Sequence, residues 1–287
     1  MKLVKIDNFK IKDVSDPTMI VTLTKKINGL ESASIRLPGN NNPGQDGYFI
    51  SNSYYGEGRI TIQGAIYSTL SIAQHEEKRR EMISALRTQK DSDGFLIDKV
   101  LHLVTDDDQE YSVNAQVANR PRILRACQYV SNFLIDLISE RGIIESEDET
   151  EVDVPLYSGG GIVLPFVLPV SFAAGTGGEG IAENAGDAAA YPIVTIYGPI
   201  TSPRIQNVSL NKGVALNLSI ANGSYVTIDM YNKTIIQAGV TNRLSSITDD
   251  SEWWWLQSGE NRIRLTSSIA GEAGYAKVNY KSAFTGI

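Results

Sequence analysis

The chain has 287 residues and a net charge of −7, from 33 acidic and 26 basic side chains. That balance argues against a general grip on nucleic acid, which rewards clustered cations. Two histidines and one cysteine can build neither a Cys/His zinc site nor an intrachain disulfide.

Cys127 is read as a small buried side chain. The length suits two domains, each with its own core. The start, Met1-Lys2-Leu3-Val4-Lys5, has no long apolar run, so no secretion signal is expected.

The first forty residues read as strands, with Met19–Thr24 rich in β formers and Ser32–Leu37 alternating. Pro38 to Gly44 has the composition of a long turn or loop. Tyr48, Phe49, Tyr54 and Tyr55 follow in Gly- and Ser-rich surroundings, as exposed aromatics. Residues 59–67 form a strong strand with Ile60 and Ile62 on one face.

A helix is predicted from Ser71 or Ile72 to Thr88, with a stripe of Ile72, His75, Met82, Ile83 and Leu86. Glu76 and Arg80 make a favourable i,i+4 pair there, and Glu77 with Glu81 an unfavourable one. The helix stops at Gln89–Gly94. Strands resume at residues 95–97, 99–104 and 111–117. Residues 132–138 suit a strand or a helix, and Phe133, Ile135 and Leu137 on one face favour the strand. Glu145 to Glu151 reads as an acidic loop.

Residues 152–190 are dense in glycine and proline, as in an extended bridge between domains. The apolar run 162–170 is too short for a membrane span, which needs about 20 residues, so no membrane partner is expected. Beyond the bridge, Ile193–Gly198 is strand-like. Val214, Leu216, Leu218 and Ile220 alternate as one strand, and Asn222-Gly223 is a hairpin signal leading into Tyr225–Asp229. Asn232-Lys233 turns the chain again. A last strand carries Ala276, Val278 and Tyr280 on one face. Many short strands of this kind read as a sandwich.

The search for chemistry is nearly empty. Asp91-Ser92-Asp93-Gly94 resembles the start of a calcium loop, but position twelve is His102, where that loop needs glutamate. Asp106–Asp108 with Glu110 reads as a turn. His75 and His102 have no nucleophile motif beside them and read as core or surface histidines. The glycine-rich segments 159–161 and 175–180 lack the phosphate-loop ending. No catalytic residue, metal site or cofactor is expected, and the chain does not read as an enzyme. Trp253-Trp254-Trp255 alone stands out. Core or intersubunit packing is the first reading of these aromatics, and sugar stacking the second.

Three patterns carry a family likeness. Pro43–Gly47 through Ser53-Tyr54-Tyr55-Gly56 and Arg59–Gly64 is one. Glu183-Asn184-Ala185-Gly186-Asp187-Ala188 with Tyr191–Gly198 is the second. Trp253–Leu256 with Ser258-Gly259-Glu260-Asn261 is the third. Taken in order, they resemble the distal tail protein family of long non-contractile-tailed bacteriophages, although that family more often has proline where Ser258 stands.

The resemblance implies a mainly β fold: an N-terminal α+β belt domain (1–151) that closes into a homo-hexameric ring, the bridge (152–190), and a C-terminal galectin-like β-sandwich (191–287). It implies a structural hub at the virion's tail tip, assembled in the host cytoplasm. Its partners would be the tail tube protein, a tail-associated tip protein and receptor-binding proteins. Phage DNA would only pass through the lumen, which an acidic lining would keep from sticking. The alternative is a carbohydrate-binding module of the tail tip that aids host attachment, with Trp253 or Trp254 as platform.

Overall fold

The computed structural model describes residues 1–16, 18–32, 34–41, 43–68, 71–157 and 178–287. Most of the expected bridge, residues 158–177, lies outside the described residues. Among the described residues the fold is mainly β, with one α-helix, a short 3₁₀ turn and several antiparallel sheets. It divides into two units: Met1–Glu147 with Phe284–Ile287, and Asp148–Ala283.

The first unit is built on one sheet. Its order is Phe9–Asp13, Leu3–Ile6, Lys99–Val104, Glu110–Val117, Val130–Ser139, Gly58–Tyr67 and Val21–Leu23. The longest pairing, Val130↔Tyr67 to Ser139↔Gly58, fixes the register. It sets Phe133, Ile135 and Leu137 opposite Gly64, Ile62 and Ile60 on one buried face. The period of two thus turns alternating sequence into a core. Gly64 is required there, because a Cβ would lie 2.2 Å from the Phe133 ring and 2.3 Å from the Thr22 carbonyl.

Helix Ile72–Ala85 is capped by Ser71, whose Oγ accepts from the Ala73 amide at 3.0 Å. His75, Met82 and Leu86 are buried, but Ile72 and Ile83 are 39% and 52% exposed. The predicted stripe was therefore too wide. Position 79 lies four residues on from His75 and three before Met82, so the aliphatic stem of Arg79 runs along the stripe and Ile83 turns outward. Glu76 pairs with Arg79 at 3.4 Å and with Arg125, not with Arg80. A cation from the strand Arg122–Cys127 has taken its place.

Other expectations are corrected in this unit. Cys127 is exposed, because it ends a strand with a single neighbour at the sheet's margin. Gly39–Asn41 pairs with Tyr48–Ile50, so the expected loop 38–44 is partly strand. Residues 95–97 hold only a bridge, Leu96 to Lys90, because the Asp91 carboxylate accepts from the Asp93 and Phe95 amides and closes a turn instead. The acidic segment begins as the strand Ile144–Ser146 and ends in Thr150–Pro155.

In the second unit a six-stranded sheet runs Thr150–Pro155, Tyr275–Tyr280, Ile193–Tyr197, Tyr225–Asp229, Thr234–Gln237, Thr241–Asn242. A four-stranded sheet runs Glu179–Asn184, Gly259–Thr266, Arg204–Asn207, Lys212–Ala215. Each buries one face: Val194, Ile196, Val226, Ile228 and Val278 in the first, Ala182, Ile205, Ile263 and Leu265 in the second. The alternating run 214–220 is not one strand. Lys212–Ala215 belongs to the four-stranded sheet, while Ser219–Ile220 pairs with Ile200–Thr201.

The Asn222-Gly223 turn closes, with the Ser224 amide 3.0 Å from the Ala221 carbonyl. Gly223 has φ +78° and Asn222 is not left-handed, so this is not the type I′ geometry a two-residue hairpin uses. Its flanking strands go to different sheets. The hairpin forms one turn later, around Asn232-Lys233, between Tyr225–Asp229 and Thr234–Gln237.

Candidate functional site

Among the described residues, the two histidines and the acidic run 106–108 lie in separate places. His75 is fully buried, and neither ring nitrogen has a hydrogen-bond partner. The His102 Nδ1 lies 3.0 Å from Glu147. Asp106–Asp108 forms the turn between Lys99–Val104 and Glu110–Val117, with Lys2 2.6 Å from Asp108. Among the described residues no three His, Cys, Asp or Glu side chains group to hold a metal ion, and no helix is long and apolar enough to cross a membrane.

The three tryptophans lie just before the bridge of Leu256 to Ala190, outside any named strand. Trp254 is fully buried and its Nε1 has no partner, while Trp253 and Trp255 are part-buried. Over the Trp255 ring sits Lys212 Nζ, 4.9 Å from the centroid, with Tyr191 6.5 Å away.

Three asparagines hold this segment, all fully buried. Asn261 Nδ2 donates to the carbonyls of Gln257 and Gly259 at 2.8 and 2.9 Å, and its Oδ1 accepts from the Gln257 amide at 3.0 Å. Asn207 Nδ2 donates to the Trp255 carbonyl and to Asn261 Oδ1. Asn184 donates to Ala188 and Leu256 and accepts from Gly186 and Ala283. Each amide thus replaces a missing strand neighbour for irregular backbone. Two of the three were quoted in the family patterns. Asn207 was missed, and only Ile205, two residues before it on the same strand face, hinted at an inward direction.

Surface chemistry concentrates in the first unit. Among the described residues Ile35–Arg36 pairs only with Tyr54–Tyr55, and Gly39–Asn41 only with Tyr48–Ile50, forming two ribbons in one arm. Ile35, Leu37, Tyr48 and Phe49 are exposed, as are Ile50, Tyr54 and Tyr55, all between 51% and 64%. Contiguous apolar exposure on this scale marks an interaction surface.

A groove of about 830 Å³ runs between the end of the helix and residues 117–123. Its floor is apolar, with Ile83, Leu86, Val117, Pro121 and Ile123. Arg79, Arg80, Arg87 and Arg120 also line it. From the sequence Arg80 is legible only as a helix residue beside Glu76, whereas Arg120 reaches the same groove from a loop distant in sequence.

Residues 185–284 match the family described as siphovirus-type tail component, C-terminal domain (SPP1 Dit). No curated protein sequence matches. Among solved structures, the Dit protein (gp 19.1) of phage SPP1 superposes with TM-score 0.66 over 98% of both chains at 9% identity. It is described as a paradigm of the hub adsorption apparatus in phages infecting Gram-positive bacteria. Chains of the phage P2 baseplate, in its activated conformation with calcium or with strontium, match with TM-score 0.46 and 10% identity over 96% of this chain and 97% of theirs. Residues 185–284 match the siphovirus-type tail component family by sequence, and over nearly its whole length the chain shares its fold with SPP1 Dit.

Proposed function

We propose that the chain is the structural hub of a siphophage tail tip, a non-enzymatic ring of six copies that joins the tail tube to the tip or baseplate complex. The observation that carries this reading is the shared fold with SPP1 Dit over 98% of both chains. The family match in residues 185–284 supports it independently.

In this reading residues 1–151 form the belt, 152–190 the bridge and 191–287 a galectin-like sandwich. The exposed arm of the first unit supports the ring, since a ring subunit needs apolar surface that only its neighbours cover. The part-buried and buried tryptophans serve packing, held by the asparagine network. An acidic lumen lets DNA pass without phosphate contacts.

Gold-labelled antibody against the purified protein tests the location on phage particles by electron microscopy. Label at the tail end farthest from the head is the expected result. Label along the tube or on the head contradicts the proposal.

A further inference from the structure

We propose that the apolar arm of one copy docks in the arginine-lined groove beside helix Ile72–Ala85 of a second copy. This rests on the ring reading and names the two surfaces that meet in it.

Neither surface has a partner among the described residues. The arm's ribbons pair with no described strand outside the arm, and Phe49 is 64% exposed. Two-stranded ribbons are marginal alone in water and need something to pack against. In the groove Ile83 stays 52% exposed, so no described residue fills it. Arg80, Arg87 and Arg120 make no side-chain hydrogen bond or ion pair with another described residue.

The chemistries match. An apolar floor accepts Phe49, Ile50 and Leu37, while guanidinium planes stack on tyrosine rings. The arm already contains one such pair, with Arg36 5.8 Å from the Tyr54 ring centroid. An arm that carries only Arg36 and Asp46 as charges brings no cationic excess against the groove's arginines.

Size also fits. The arm's seven large side chains, about half exposed, offer on the order of 600 Å², against about 800 Å² per partner in a standard interface. A second copy is the occupant because arm and groove are different patches of one chain. Such a head-to-tail contact repeats around a ring, supplying one arm for every groove.

Chains carrying Cys127→Ser with either Phe49→Cys or Ile83→Cys, distinguished by tags of different size, are mixed and treated with a short bis-maleimide. Both new cysteines replace exposed side chains, so folding is retained. A mixed cross-linked dimer is expected, and a chain carrying both cysteines is expected to give a ladder that ends at six. A light-scattering mass of six without the mixed dimer overturns the docking and leaves the ring intact. A mass of one at every concentration, again without cross-link, overturns both. A mixed dimer that forms equally with Arg80, Arg87 and Arg120 changed to Glu overturns the role given to the arginines.

Discussion

Asn207 and Asn261 hydrogen-bond to each other, Nδ2 to Oδ1 at 3.1 Å, with neither side chain exposed. The contact joins the end of the strand Arg204–Asn207 to the start of the strand Gly259–Thr266. Every hydrogen-bonding position of the Asn261 amide is filled. Removing it leaves the part-buried Gln257 and Gly259 carbonyls and Gln257 amide without this partner and weakens the buried bonding of Asn207, at a cost of about 1–3 kcal/mol for each group that water does not reach.

Asn261→Ala is therefore expected to destabilise the second unit by about 2 to 4 kcal/mol. All three tryptophans of the chain lie in this unit, so the urea transition read by tryptophan fluorescence checks it. An unchanged midpoint would mean that the backbone there finds other partners.

These asparagines show where sequence reading stops. Asn-x-Gly at 184–186 and Gly-x-Asn at 259–261 look like surface turns, and only the completed fold makes such amides core. Alternation was legible where a strand keeps one sheet, as in Gly58–Tyr67 and Tyr275–Tyr280. It misled at 214–220, because burial still alternates while the chain crosses from one sheet to another. Composition hid the ribbon at Gly39–Asn41, since glycine and asparagine report turn chemistry and a two-stranded ribbon needs little else. The arm's aromatics were legible as exposed. The groove was not, because its arginines come from segments that meet only in three dimensions.

His75 is buried with both ring nitrogens unpartnered. A polar group in that state costs free energy that an apolar side chain does not. His75→Leu is expected to stabilise the first unit by about 1 kcal/mol, seen as a higher midpoint in thermal circular dichroism. A lower midpoint would point to a lost hydrogen bond instead.

Asp13 accepts hydrogen bonds from Lys10 Nζ at 2.7 Å, from Ser15 Oγ at 2.6 Å and from the Ser15 amide at 3.0 Å. These bonds, the one from Lys10 foremost, hold its pKa at about 2, below the ordinary 3.8. A depressed carboxylate stabilises the fold above pH 3.8 and loses that contribution as pH falls through about 2. Asp13→Asn is expected to start lower at neutral pH and to decline less steeply across this window. Urea midpoints followed by circular dichroism from pH 5 to 2 test it, and parallel declines would contradict it.

The central claim is that six copies close into one ring. Light scattering behind size exclusion, across a range of concentrations, measures it directly. The account predicts a mass that climbs with concentration and stops at six times the 31.3 kDa chain. A mass that stays at 31.3 kDa at every concentration, or one that grows past six without a ceiling, would contradict it.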